Sequence, residues 1–351
     1  MVRIRTDLAT FAPYVPGKQP EDGNWIKLNT NEASECPPGA LAALNALGPE
    51  GLFRYPDPTA MPLRRDLAGH YGLTPDRVVV GNGSDEILSL LLRAVCDPGA
   101  EVLAPDPAYS LYPVLAAAQG ASYRAIACLD DFALDLESVC AARPAITFIT
   151  SPNNPAGTSY PARQIARICA SGHNLVVVDE AYAAFADSNA LGLLREFPNL
   201  AIARTFSKAY GLAGARVGYL LGPAELCQTL LAIKDAYNVS AAAQAAAQAA
   251  LRDRDWAEAM WESVRNRRSR LIAGLSSIPG LEPHPSQANF VLVDCGPHSA
   301  PQLLEQLAAR KILVRHLGHV RGAENALRIT VGKDSEIEQL LGELSAICHA
   351  C

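Results

Sequence analysis

The sequence predicts an α/β protein. Its parts are a large domain with a mostly parallel central sheet covered by helices, a small α+β C-terminal domain and an extended N-terminal arm. Short apolar runs such as Val78-Val79-Val80 and Val176-Val177-Val178 recur along the chain, and runs apolar on both faces belong to strands buried on both sides. Segments of helical periodicity separate them, the alternation that builds parallel sheets. With 351 residues, 49% of them hydrophobic, the chain can bury a sizeable core and form more than one domain.

Residues 1–25 hold Pro13, Pro16, Gly17, Pro20 and Gly23 and show no sustained periodicity, so they read as the arm. The large domain is expected over residues 26–258. It begins with helical patterns at 40–47 and 61–71, around a loop at Arg54-Tyr55-Pro56-Asp57-Pro58. Strands are expected at 78–80, 101–103, 122–127, 145–149, 175–178, 200–203 and 217–221, with helices at 85–95, 109–119 and 162–171. An alanine-rich helix at 240–251 has Ser240 as its N-cap. A long helix at 256–275 leads into the small domain, residues 259–351, with strands at 290–293, 312–315 and 327–331 and helices at 300–310 and 335–347. No internal repeat is apparent.

Net charge is −6, which leaves no electrostatic footprint for nucleic acid or an acidic membrane surface. The basic cluster at residues 265–270 falls in a helical pattern and reads as a solvated face. No run of about 18 apolar residues occurs, so no membrane span is expected. Nine cysteines without a spaced framework suit a reducing cytoplasm. Cys348-His349-Ala350-Cys351 lacks a fourth ligand, and no metal is expected.

Four loops follow sheet strands, where open α/β sheets collect ligands. In Gly81-Asn82-Gly83-Ser84-Asp85-Glu86, glycines would let backbone approach an anion at a helix N-terminus. A tight turn capped by Ser84 or Asp85 is the plainer alternative. Glu86 stands where a dinucleotide fingerprint needs a third glycine. Ser151-Pro152-Asn153-Asn154-Pro155-Ala156-Gly157 is a rigid polar loop. In Val178-Asp179-Glu180-Ala181-Tyr182, a carboxylate ends a buried strand and needs a partner: a metal, though no His or Cys ligand set stands nearby, or equally a protonated ring nitrogen. Thr205 to Gly218 carries Lys208, an amine that burial and a neighbouring cation would make nucleophilic. An amine, a carboxylate and an anion-binding helix start together match the needs of pyridoxal phosphate.

On these loops the chain resembles the fold-type I pyridoxal-phosphate aminotransferases, and among them the histidinol-phosphate aminotransferase family. The likeness extends through Pro13 to Gly17, Leu28-Asn29-Thr30-Asn31-Glu32, Arg54 to Asp57 and Leu327-Arg328-Ile329-Thr330-Val331-Gly332. It implies that Lys208 bonds the cofactor and later shuttles a proton. Asp179 would pair with the pyridine nitrogen, Asn154 and Tyr182 with the ring oxygen, and Tyr109 would stack on the ring. Gly83, Ser84, Asp85, Thr205, Ser207 and Arg216 would hold the phosphate, joined by Tyr55 from the partner subunit of a homodimer. Arg315 and Arg328 would bind the anionic end of the substrate, and Tyr14 would close over the pocket from the other subunit. The implied reaction exchanges the amino group of L-histidinol phosphate with 2-oxoglutarate; aromatic amino-acid transamination and phosphothreonine decarboxylation are the alternatives. Asn31-Glu32-Ala33-Ser34 departs from the family's usual Asn-Glu-Asn-Pro beside the expected substrate entrance, and Ala236-Tyr237-Asn238 replaces a Pro-Tyr-Asn.

Overall fold

The computed structural model describes residue 2, residues 13–20 and residues 22–350. Most of the expected arm before Pro13, and Cys351 of the C-terminal tail, lie outside the described residues. In chain order the strands are β1 (Ile26–Lys27), β2 (Val78–Gly81), β3 (Glu101–Asp106), β4 (Ser122–Ala127), β5 (Ile146–Thr150), β6 (Leu175–Asp179) and β7 (Leu200–Thr205). They continue with β8 (Gly218–Leu221), β9 (Glu282–Pro283), β10 (Phe290–Asp294), β11 (Ile312–Leu313), β12 (Arg315–His316) and β13 (Ala326–Thr330).

Seven of these form the large sheet in the order β2-β8-β7-β6-β5-β3-β4. Only β8 runs against its neighbours, pairing antiparallel with both β2 and β7. Alternate residues of the apolar runs enter two different cores. Val78, Val80, Val176, Val178, Leu200 and Ile202 pack in one, while Val79, Leu175, Val177, Ala201 and Ala203 pack in the other. Strand side chains alternate between faces, so a run apolar at every position requires cover on both sides. Burying each such valine or isoleucine contributes on the order of 2 kcal/mol. The two faces are covered by helices such as Met61–Tyr71 and Ala241–Arg252 on one side and Ser84–Val95 and Leu111–Gln119 on the other. Ser240 caps Ala241–Arg252, its Oγ accepting from the Ala243 N–H at 3.1 Å. The helix Ala224–Ile233, which follows β8, carries Cys227 and Leu230 into the second core.

The C-terminal unit is a four-stranded antiparallel sheet, β12-β13-β10-β9. The single strand expected at 312–315 is divided in two. β11 pairs in parallel with β1, whereas β12 turns to pair with β13. Residues 26–28 thus pack with the C-terminal lobe, and Leu28 lies in its core. Helix Arg254–Ser276 runs unbroken through the expected boundary. Ala257 belongs to the large core and Val264, Leu271 and Leu275 to the small one, so one helix ties both lobes.

Candidate active site

Because β2, β3, β5, β6 and β7 share a direction, the loops after them emerge at one edge of the sheet; antiparallel β8 begins there. The register aligns Gly81 with Gly218, Thr205 with Gly218, and Thr150 with Asp179. That edge opens on a cavity of about 420 Å³ between the two lobes. Every expected site residue lines it except Gly83 and Tyr55.

Asp179 is the last residue of β6 and is 3% exposed. Its carboxylate accepts from the Tyr112 hydroxyl at 3.0 Å and from the Ala181 N–H at 3.2 Å. Among the described residues no cation pairs with it, and burial pushes it up to about 6. Lys208 stands on a one-turn helix, Phe206–Ala209, capped by Thr205, whose hydroxyl accepts from Ser207 N–H. Lys208 Nζ donates to the Thr30 carbonyl at 2.8 Å. Burial, then the nearby Arg328 guanidinium, bring its ammonium down to about 8, so an appreciable fraction is a neutral amine near neutral pH.

The Gly81–Asp85 turn leads into helix Ser84–Val95, whose N-cap is Gly83 at φ 83°. Neither Ser84 nor Asp85 caps it, contrary to the plainer alternative; no side chain does. A Cβ at Gly83 would stand 2.6 Å from Arg216 Nη2, so glycine leaves the helix start open toward that guanidinium. Arg216 donates to Asp85 at 3.1 Å and reaches Ser207 Oγ at 3.5 Å. Tyr109 donates to the same Asp85 at 3.2 Å and meets Tyr112 edge to face.

Arg328, on β13, donates to Asn154 Oδ1 at 2.6 Å and to the Asn29 carbonyl at 3.0 Å. Its Nε is buried without a hydrogen-bond partner. Tyr182 is 6% exposed; its hydroxyl accepts from Asn31 Nδ2 at 3.1 Å, and burial raises it to about 12. Arg315 donates to the Val15 and Pro16 carbonyls at 3.0 and 3.2 Å, which clamps the arm to its own chain. Tyr14 lines this chain's cavity, its ring 6.1 Å from that of Tyr109. Tyr55 is 80% exposed, stacked on Tyr237 at 4.4 Å, and contributes nothing to this chain's cavity.

Thr30, Asn31 and Thr150 also line the cavity, and Tyr112 reaches Asp179 from behind it, with no motif of their own to mark them. Asn31 stands at φ 54°, held by Thr330 Oγ1 on its N–H at 3.0 Å and by Asn289 Nδ2 on its carbonyl. The Tyr109-to-Tyr112 spacing at a helix start is the one sequence signal that points to Tyr112.

The cavity's residues fit pyridoxal phosphate. A buried carboxylate lacks a cation, a guanidinium and an open helix start face a space suited to phosphate, and an amine of lowered pKa stands close by. The chain matches the model of the class I and II aminotransferase family over residues 23–344. It is 39% identical to the histidinol-phosphate aminotransferase of Synechocystis sp. over 347 residues, 99% of each chain. It is equally identical to histidinol-phosphate aminotransferase 1 of Burkholderia pseudomallei over the whole of both chains. A crystal structure of the Sinorhizobium meliloti histidinol-phosphate aminotransferase in complex with pyridoxal-5'-phosphate superimposes with a TM-score of 0.86 at 31% identity. It covers 93% of this chain and 91% of its own. By the extent of these matches, along nearly all of its length, this chain belongs to the class I and II aminotransferases and, within them, to the histidinol-phosphate aminotransferases.

Proposed function

We propose that this chain catalyses the reversible transfer of the amino group of L-histidinol phosphate to 2-oxoglutarate, giving imidazole acetol phosphate and L-glutamate in two half-reactions of histidine biosynthesis. The observation that carries this reading is the meeting of Lys208, Asp179 and Arg328 in one cavity at the sheet edge. Pyridoxal phosphate, when bound, supplies an aldehyde that exchanges with the substrate amine and a ring that accepts the electron pair released at carbon. Asp179 keeps a proton on the ring nitrogen by its negative charge. Lys208 Nζ bonds the cofactor at rest and afterwards moves the proton of the amine-bearing carbon, for which a pKa near working pH is suited. Asn154 and Tyr182 hold the ring oxygen, and Tyr109 covers the ring face. The first-turn N–H groups at Ser84 and Asp85, the Thr205 and Ser207 hydroxyls and Arg216 take the cofactor phosphate.

Arg328, with its orphaned Nε, and Arg315 receive the substrate's anionic end, phosphate or carboxylate, by their planar donor forks. Tyr14 shuts water out above it. The active form is a cytoplasmic homodimer in which each Tyr55 reaches the other copy's cofactor phosphate. Its exposure outside its own cavity, next to exposed Leu52 and Phe53, supports this, and the lobes divide near residue 258 of the tying helix. None of the helices among the described residues is long and apolar enough to cross a membrane.

Purified wild-type protein is expected to be yellow, and Lys208→Ala to retain no cofactor after borohydride reduction and to lose turnover. Full activity in that variant would sink the mechanism. In a substrate panel, preference for phenylalanine or tyrosine over histidinol phosphate, or carbon dioxide release from phosphothreonine, would replace the substrate assignment.

A further inference from the structure

Thr150 at the end of β5 and Asp179 at the end of β6 are register partners, and Tyr112 stands beside both from helix Leu111–Gln119. Tyr112 is fully buried, Thr150 is 2% exposed and Asp179 3%. The Tyr112 hydroxyl lies 3.0 Å from Asp179 Oδ2 and 2.6 Å from Thr150 Oγ1. Its ring is stacked on Phe148 at 4.7 Å with planes 12° apart, so packing fixes the hydroxyl's position. An ionised carboxylate only accepts, and a phenol has one proton. That proton goes to Asp179, and the phenol oxygen is left to accept from the Thr150 hydroxyl. The direction of the whole chain, Thr150 to Tyr112 to Asp179, follows from the charge at its end.

We infer that this relay holds the Asp179 carboxylate ionised and in a single orientation, which makes Tyr112 a positioning residue that acts on the cofactor ring through Asp179. The inference rests on the pyridoxal-phosphate reading above. The carboxylate is 3% exposed and, among the described residues, has two donors and no cation, so losing one donor returns desolvation cost to it. Burial drives the Tyr112 phenol upward, which keeps it a proton donor throughout the working range.

The test is a titration of cofactor-free protein with pyridoxal phosphate, read by absorbance, together with kcat and KM for wild type, Tyr112→Phe, Thr150→Val, Thr150→Ser and the Tyr112→Phe/Thr150→Val pair. Tyr112→Phe retains the stacked ring and is expected to weaken cofactor binding about tenfold and lower kcat at least as much, the size of one hydrogen bond to a charge. KM for the amino donor should stay within about twofold, since the relay does not touch substrate. Thr150→Val should move both quantities the same way by about threefold, Thr150→Ser should match wild type, and the double variant should equal Tyr112→Phe alone. Wild-type affinity in Tyr112→Phe, or additive losses in the pair, overturns the relay. Should Tyr112→Phe fail to fold, the Thr150→Val and Thr150→Ser pair decides, because a purely packing role would not separate them by cofactor affinity. A wild-type protein that binds no pyridoxal phosphate overturns the functional reading itself, whereas wild-type binding with unaffected variants overturns the relay alone.

Discussion

Two consecutive carboxylates, the last residue of β6 and the one that follows it, have opposite lives. Asp179 and Glu180 are both 3% exposed, but strand alternation sends them to opposite faces. Glu180 points to the side of Tyr71, where it accepts from Arg204 Nη2 at 2.6 Å and Nε at 2.9 Å and from the Ala190 N–H. Arg204 also donates to the Tyr71 hydroxyl, and its guanidinium is held well above its ordinary value. Asp179 points to the side of Tyr112 and has two neutral donors in place of a cation. A buried charge with a partner is a structural tie. One without a partner is costly in the bare protein, a cost that the proposed cationic ring nitrogen would recover.

Glu180→Gln should give the largest loss of stability, about 3–5 kcal/mol, because it leaves the Arg204 charge buried and uncompensated. Urea unfolding checks it, and an unchanged midpoint would mean that the pair is no tie. Asp179→Asn should divide the other way, with kcat lower by about 10²- to 10³-fold, as when a preorganised electrostatic partner is removed, and no loss of stability in the cofactor-free protein. A variant that unfolds as readily as Glu180→Gln would erase the distinction between the two carboxylates.

The smallest effect is on pH dependence. Asp179, raised to about 6 from 3.8, binds its proton more tightly folded than unfolded. Its burial therefore weakens the cofactor-free protein increasingly as pH rises from about 4 to about 6. Lys208, lowered to about 8 from 10.5, has the reverse dependence: its penalty is complete below about pH 8 and is relieved toward pH 10.5. The stability advantage of Asp179→Asn over wild type should grow across the first window, and that of Lys208→Met should shrink across the second. Urea midpoints that run parallel in all three proteins would show that neither group carries an uncompensated charge.

Much of this was legible in the chain. The runs at Val78, Val176 and Leu200 fill both cores as their unbroken apolarity requires, and Asp179, Lys208, Arg216 and Arg328 meet at one cavity. The contacts of Arg315 with the Val15 and Pro16 carbonyls were not legible, because they join residues about 300 positions apart. The division of residues 312–316 between two sheets was hidden for the same reason. Ile26, the register partner of Ile312, lies far away in the chain.

By itself, then, the sequence determined which residues carry chemistry and which strands are buried, since charge, hydroxyl, glycine and periodicity are properties of the residues themselves. Only the tertiary structure decided which carboxylate meets Arg204 and which meets Tyr112. It also decided that Asn31 bonds Tyr182 and that Arg315 holds the Val15 and Pro16 carbonyls. Those outcomes depend on distances between segments far apart in sequence, and packing of the two lobes, rather than any local preference, sets them.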